Sequence, residues 1–252
     1  MHIPFFTAII PARYASTRFP GKPLADLKGK TMIQRVYEQV EPVIDYVVVA
    51  TDDERIFAEV ERFGGKAVMT SSAHNSGTDR CAEALDIIEK EKKLKSDVVI
   101  NVQGDEPFIR HDQIKALKSC FTDDSTQIAT LINPIREQEV LTNPNRAKVI
   151  IDVNGFALYF SRSVVPYIRN KSENEWSQYH KYYQHIGIYA YRTGILKEIV
   201  LLPQSALEKA ESLEQLRWLE NGYRIKTAVT KFETYGIDTP GDLRKIIDMG
   251  IL

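Results

Sequence analysis

The chain has 252 residues, 43% of them hydrophobic and 27% charged, with 33 basic side chains against 34 acidic ones and a formal net charge of -1. That is enough apolar material for one large α/β domain, and the balanced charge argues against a general nucleic-acid or anionic-membrane binder, which carries a basic excess. Two cysteines, Cys81 and Cys120, form no CxxC pair and no metal-like spacing with histidine, so disulfide and zinc frameworks are not expected and a reduced, cytoplasmic setting is.

Short apolar runs alternate with amphipathic stretches through the first half. The run Ile3 to Ile10 has no basic segment before it and no small-residue cleavage site after it, so it reads as a strand and not a signal peptide. No apolar run reaches the roughly 20 residues that span a bilayer. Phe5–Ile10 is expected as strand and Thr31–Val40 as helix, with Thr31 and Gln34 spaced as a capping box. Tyr46–Ala50 follows as strand, then a helix capped by Asp52 and stopped at Gly64-Gly65. Lys66–Met69 is a short strand, Thr78–Lys93 a helix, Asp97–Val102 a strand, His111–Phe121 a helix and Ile128–Ile132 a strand. This β-α-β-α order with near-continuous apolar strands predicts a Rossmann-like, mostly parallel sheet flanked by helices.

The second half is different. Val149–Asp152 and Phe156–Phe160 flank Asn154-Gly155, which predicts a β-hairpin turning at positive φ. Residues 167–184, polar and aromatic, read as a long mobile loop. His185–Tyr191 is strand, and Ser212–Asn221 is helix with Leu213, Leu216 and Leu219 on one face and Gly222 as stop. Thr239-Pro240-Gly241-Asp242 opens the last helix. With no repeat, low-complexity segment or linker, residues 1–252 are expected to form one domain. Its nucleotide-binding part would cover about 1–133, a hairpin-containing excursion about 134–236, and a closing helix 237–252.

Ligands of parallel sheets bind beyond the carboxyl ends of the strands, which singles out four segments. The loop after the first strand, Pro11 to Pro23, carries Arg13, Arg18 and Lys22 with no acid before Asp26, and adds Ser16, Thr17 and many backbone N–H groups. Cations and donors wrapped around one point suit a dense anion such as a triphosphate; the bland alternative is a solvated basic loop. Neither a Walker A loop nor a Gly-x-Gly-x-x-Gly after a strand is present. Asn101-Val102-Gln103-Gly104-Asp105-Glu106-Pro107 places Asp105 at a strand end, where it either binds a hard cation with phosphate oxygens or caps a turn. Asp238, before the last helix, is a cap unless it meets Asp105. Ser71 to Arg80 is suited either to hydrogen-bonding a base or to a polar turn with Thr78 as N-cap. His180 and His185 read as packed or hydrogen-bonding histidines and not a metal pair.

Six motifs occur in order: Ile9-Ile10-Pro11-Ala12-Arg13-Tyr14-Ala15-Ser16-Thr17-Arg18-Phe19-Pro20-Gly21-Lys22-Pro23-Leu24, Val102-Gln103-Gly104-Asp105-Glu106-Pro107, Ala157-Leu158-Tyr159-Phe160-Ser161-Arg162, His185-Ile186-Gly187-Ile188-Tyr189, Leu213-Glu214-Gln215-Leu216-Arg217 and Asp238-Thr239-Pro240. Through them the chain resembles, nearly end to end, the CMP-Kdo synthetase (3-deoxy-manno-octulosonate cytidylyltransferase) family. The resemblance implies transfer of CMP from CTP to 3-deoxy-D-manno-octulosonate (Kdo) for lipopolysaccharide biosynthesis, with 8-amino-Kdo or another acidic sugar as the alternative. It implies Arg13, Lys22 and Asp105 as catalytic residues. Ala12, Arg13, Ser16, Arg18, Lys22, Ser76, Gly77, Thr78, Arg80 and Gln103 would bind the nucleotide. Arg162, His185, Tyr189, Glu214 and Gln215 would bind the sugar, and Asp105 and Asp238 would hold Mg2+. It further implies a homodimer, with the second half as its surface and as the sugar-binding excursion. Asp79 departs from the Glu common in the family. More distant alternatives are a UTP-dependent transferase, a non-catalytic sugar-nucleotide binder and a glycosyltransferase, although Asp105-Glu106 is not Asp-x-Asp.

Overall fold

The protein is described here by a computed structural model, which describes residues 3–15, 19–232, 236–237 and 239–248. The chain divides into two compact units, one comprising Met1–Lys115 with Thr234–Leu252 and the other Ala116–Glu233.

The first unit is an alternating α/β fold. In chain order it holds β1 (Phe6–Ala12), α1 (Met32–Val40), β2 (Tyr46–Thr51), α2 (Glu54–Arg62), β3 (Ala67–Met69), α3 (Gly77–Lys92) and β4 (Val98–Asn101); α4 (His111–Cys120) follows at its boundary. The strands lie in the order β3-β2-β1-β4, all parallel. Each of β1, β2 and β4 is apolar along nearly its whole length and buried, the pattern of strands covered on both faces. On α1, Met32, Ile33, Val36, Tyr37 and Val40 are buried, a helical stripe facing the core.

The local start signals need three corrections. The Thr31 side chain accepts from Gln34 N, but the Gln34 side chain donates to Glu38, so only half of the expected capping box forms. The cap of α2 is Asp53, whose Oδ1 accepts from Arg55 N; Asp52 turns instead to Arg80. The N-cap of α3 is Ser76 and not Thr78: Ser76 Oγ accepts from Asp79 N, and Asp79 Oδ2 accepts from Ser76 N. Asp79 is the right length to close that box, whichever acid the family prefers.

The second unit contains β5 (Ile128–Pro134), α5 (Gln138–Thr142), β6 (Lys148–Ile151), β7 (Ala157–Ser161), α6 (Trp176–Tyr179), β8 (Tyr183–Arg192), α7 (Thr193–Ile199), α8 (Ala206–Glu211), α9 (Gln215–Glu220) and β9 (Ile225–Val229). Strand β5 pairs antiparallel with β8 and parallel with β9. The β6–β7 hairpin forms as expected, but its turn runs from Asp152 to Phe156, closed by Asp152 N to Phe156 O at 2.8 Å, and only Gly155 takes positive φ. Asp152 Oδ1 accepts from Asn154 N and Phe156 N, which stabilises the longer turn. The expected loop over 167–184 holds α6, a short 3-10 turn and the first residues of β8, because Trp176 and Tyr182 bury themselves with Leu141 in a small core of their own. The helix expected at 212–221 is α9, which starts at Gln215; Ser212, at φ 51, ends the unexpected α8 just before it. Helix α10 (Pro240–Asp248) starts as the sequence indicates, with Thr239 Oγ1 accepting from Asp242 N and Asp242 Oδ2 accepting from Thr239 N.

Candidate active site

In the first unit β1 has β2 on one side and β4 on the other, so the chain leaves the carboxyl edge in opposite directions around β1. Such a crevice is where open α/β sheets bind ligands. Register aligns Ile9 with Asn101, which sets Gln103-Gly104-Asp105 beside Pro11 and Ala12. The approach is so close that a Cβ at Gly104 would lie 2.9 Å from Pro11 O, so only glycine fits. A cleft of about 230 Å³ opens there; Ala12, Arg13, Lys22, Ser76, Gly77, Arg80, Gln103 and Asp105 are among its lining residues.

The loop after β1 folds back on itself. Gly21 N donates to Tyr14 O at 3.0 Å. Gly21 sits at φ 71, and a Cβ on it would press the Tyr14 ring at 3.1 Å. The Tyr14 ring in turn lies under Arg55, 3.3 Å from its centroid. This returns Lys22 to the cleft, where its Nζ donates to Asp105 Oδ2 at 2.6 Å. Arg13 is exposed and, among the described residues, has no hydrogen-bond partner. Ser16, Arg18 and Asp238 lie outside the described residues.

Arg80 projects from the first turn of α3 and is only 3% exposed. Asp52 accepts from its Nη2 at 3.0 Å and Thr70 Oγ1 from its Nη1 at 2.6 Å. The two partners fix the guanidinium at the cleft and offset its charge. Thr78 is buried in α3 and is not part of the cleft lining. Pro11, Pro23, His74, Asn75 and Gly104 also line the cleft; each stands inside one of the candidate segments, without a role of its own assigned from the sequence. His74 and Asn75 stand inside the polar segment before α3, and that composition was their only signal.

A hard divalent cation suits this edge. One Asp105 oxygen is paired with Lys22, and Oδ1 has no partner among the described residues. Ile237 N donates to Asp105 O at 3.2 Å, tying the segment that precedes α10 to the Asp105 backbone. Ile237 is buried with Leu27 and Met32, which anchors that segment. No group of three or more His, Cys, Asp or Glu side chains gathers among the described residues. An ion held by one or two carboxylates and substrate phosphates does not require one.

The remaining expected site residues lie in the second unit. His185 and Tyr189 sit four residues apart on β8 with ring centroids 5.2 Å apart. Between them the register with β5 shifts, and Thr130 Oγ1 donates to the carbonyl of Ile188 at 2.8 Å and lies 3.1 Å from that of Ile186. That hydroxyl has one proton, already committed, so its 3.1 Å contact with His185 Nε2 is a bond donated by the imidazole. His185 Nδ1 is therefore an acceptor. Close packing of protein around the ring pushes the imidazole pKa down to about 3, so the side chain is neutral at any physiological pH. Tyr189 is buried, its hydroxyl without a described partner; burial and the nearby Glu214 carboxylate raise its pKa well above the ordinary phenol value. Gln215 Nε2 is likewise buried and unpaired. Arg162 spends three donors on carbonyls: Nε on Glu211 O (2.6 Å), Nη1 on Pro144 O (3.0 Å) and Nη2 on Ser212 O (3.2 Å). It thereby holds the turn that delivers Glu214 and Gln215 to the start of α9. Arg217 forms a buried bidentate pair with Glu208, both bonds 2.8 Å.

A mixed α/β fold with a cation-lined cleft at the switch point of its parallel strands is built to bind a phosphate-bearing ligand such as a nucleotide. The family model described as Cytidylyltransferase matches residues 7–226. A 3-deoxy-manno-octulosonate cytidylyltransferase of Parabacteroides distasonis is 60% identical over 246 residues, covering 96% of each chain. One of Bacteroides thetaiotaomicron is 61% identical over 95% of each. Among solved structures, a CMP:2-keto-3-deoxy-manno-octonic acid synthetase complexed with CTP superposes with a TM-score of 0.89 at 42% identity, covering 98% of both chains. The chain belongs to the 3-deoxy-manno-octulosonate cytidylyltransferase family.

Proposed function

We propose that the protein transfers CMP from CTP to Kdo, releasing pyrophosphate. The observation that carries this reading is the cleft at the edge of β1 and β4, where Arg13, Lys22 and Asp105 converge. The solved relative at 42% identity is complexed with CTP, and the named relatives are cytidylyltransferases for this sugar acid.

The sugar's anomeric hydroxyl attacks the α-phosphorus; the new O–P bond forms as the bond to the bridging oxygen of the pyrophosphate breaks. Both substrates are anions, so the first task of the site is to lower their repulsion. Arg13, Lys22 and Arg18 hold the phosphates and stabilise charge on the leaving pyrophosphate. The Lys22–Asp105 pair keeps both side chains ordered in the cleft before the substrate arrives. Holding the reactants in line supplies about 7–11 kcal/mol of barrier reduction in well-oriented systems. Ala12, Ser16, Ser76, Gly77, Arg80 and Gln103 position the nucleoside, while Thr78, buried in α3, only supports the helix start. Arg162, His185, Tyr189, Glu214 and Gln215 bind the sugar. Neutral His185 accepts a hydrogen bond from a sugar hydroxyl there, and Arg162, tied to main-chain carbonyls, also fixes Glu214 and Gln215. Asp105 and Asp238 would hold Mg2+, which would supply positive charge to offset the phosphates and lower the cost of deprotonating the attacking hydroxyl.

The product is activated Kdo for lipopolysaccharide assembly. We place the enzyme in the cytoplasm as a homodimer through its second half. Among the described residues no helix is long and apolar enough to cross a membrane. Pyrophosphate release measured with CTP and a panel of Kdo, 8-amino-Kdo and sialic acid, with magnesium or chelator, tests the reading. Release requiring CTP, Kdo and magnesium together is expected. Release with 8-amino-Kdo alone would reassign the sugar, and none from folded protein would leave a nucleotide-binding protein without transfer.

A further inference from the structure

Two arginines stand exposed on α2, and each is tied to an acid by two hydrogen bonds. Arg62 donates from Nε and Nη2 to Glu59 at 2.6 and 2.8 Å. Arg55 donates from Nε and Nη2 to Asp53 at 2.9 and 2.6 Å. Exposed ion pairs of this kind contribute little by themselves. Arg55 differs in what lies beneath it: its guanidinium carbon is 3.3 Å from the centroid of the Tyr14 ring. A planar guanidinium stacks on an aromatic face, where a compact ammonium makes no flat contact. Asp53 is itself fixed. It caps α2 by accepting from Arg55 N at 3.0 Å, and its own N–H donates to Thr51 Oγ1 at 3.2 Å. The stack therefore grows from a set point at the carboxyl end of β2 and reaches the loop that follows β1.

Tyr14 is where that loop closes. Its carbonyl accepts from Gly21 N at 3.0 Å, and its ring packs so near Gly21 that a Cβ there would lie 3.1 Å from it. Arg13 immediately precedes Tyr14 and Lys22 immediately follows Gly21. Both cations line the cleft, whereas Arg55 and Tyr14 are not among its lining residues. A contact outside the cleft thus supports the closure that brings two of its cations to one place. Asp53 offsets the charge of Arg55, so the pair offers shape and not a field.

We propose that Arg55 is a positioning residue for the transfer reaction: it clamps the Tyr14 ring and keeps the loop closed, with Arg13 and Lys22 held at the cleft. The proposal rests on the reading that this cleft takes a nucleoside triphosphate. A loop closed before its ligand arrives avoids the cost of ordering it on binding. That gain falls mainly on a ligand with the full phosphate chain, and little on one with a single phosphate.

The test measures CTP and CMP binding by calorimetry, and pyrophosphate release with Kdo, in wild type, Arg55→Ala, Arg55→Lys, Tyr14→Leu, the variant combining Arg55→Ala with Tyr14→Leu, and Arg62→Ala. Wild type is expected to bind CTP more tightly than CMP. Arg55→Ala is expected to cut that ratio by about two- to fivefold, the scale of an exposed cation–π contact. KM for CTP should rise to match, with KM for Kdo and the melting temperature unchanged. Arg55→Lys keeps the charge without the flat contact and should recover only part of the loss. Tyr14→Leu should lose at least as much as Arg55→Ala, and combining the two should add nothing further. Arg62→Ala should leave the ratio as it is. Full recovery with lysine would make Arg55 a source of positive potential and overturn the clamp. Additive losses, or an equal loss in Arg62→Ala, would overturn it too. If Tyr14→Leu does not fold, the comparison of Arg55→Ala with Arg55→Lys decides. Wild type that binds CTP no better than CMP would refute the triphosphate reading of the cleft and the clamp with it. A wild-type preference that survives Arg55→Ala intact would remove the clamp alone.

Discussion

The two units treat polar groups in opposite ways. In the first, charge is displayed: Arg13 is exposed, Lys22 and Asp105 face each other in an open cleft, and Gly104 lets the backbone close around that point. In the second, polar groups are packed away: Tyr189 and Gln215 are buried with atoms that have no partner among the described residues, and Arg217 and Glu208 are buried as a pair. A displayed group contributes to the reaction and little to folding. A buried one contributes to folding first, and reaches a ligand only where a polar atom has been left unpaired. Substitutions in the two units should therefore separate turnover from stability.

The largest effect is expected in the second unit. Arg217→Met strands Glu208 as a buried, uncompensated carboxylate, and breaking such a pair costs about 3–5 kcal/mol. Urea unfolding would register this, and a loss under about 1 kcal/mol would show that Glu208 finds water or another donor. Next come the displayed groups. Asp105→Ala should lower kcat by about 10²–10³-fold, the usual scale for a preorganised electrostatic contact, with far-UV circular dichroism and melting unchanged. A variant that unfolds instead would move Asp105 into the structural class.

Arg80→Met lies between the two kinds, because its guanidinium is buried while its partner Asp52 keeps some solvent. A stability loss of about 2 kcal/mol is expected together with a raised KM for CTP. Loss of stability without a change in KM would make Arg80 purely a brace. The last effect is a pH dependence at His185, which shows only below neutral pH. Its folded pKa of about 3 lies below the ordinary histidine value, so the unfolded chain binds the proton first. Stability should hold above about pH 6.5 and decline as pH falls toward 3. His185→Phe should flatten that slope, and a wild-type profile level from pH 7 to 4 would contradict the assignment.

The same contrast explains what could be read from the sequence. The strands of the first unit announced themselves as unbroken apolar runs, and the loop from Pro11 to Pro23 and Asp105 stood at the strand ends where ligands bind. Helix caps misled by one or two residues at Asp52 and Thr78, because neighbouring polar residues compete for the same orphan N–H groups. That Asp52 would instead hold Arg80 was invisible, since the pairing spans 28 residues and depends on the β2–α3 packing. In the second unit α7, α8 and β9 went unread; they are short and bury their faces only through tertiary contacts. The sequence marks His74 only as part of a polar segment, because its contact with Glu83, nine residues on, exists only once that loop packs on α3.

The central claim, that this cleft moves a CMP group onto a sugar acid, is tested most directly by following label from CTP carrying radioactive phosphorus at the α position, incubated with Kdo and magnesium. The account predicts that the label appears in a sugar phosphodiester in equal amount to the pyrophosphate released, and that Asp105→Ala forms almost none. Label recovered as free CMP, or remaining in CTP while the protein is folded and binds it, would contradict the account.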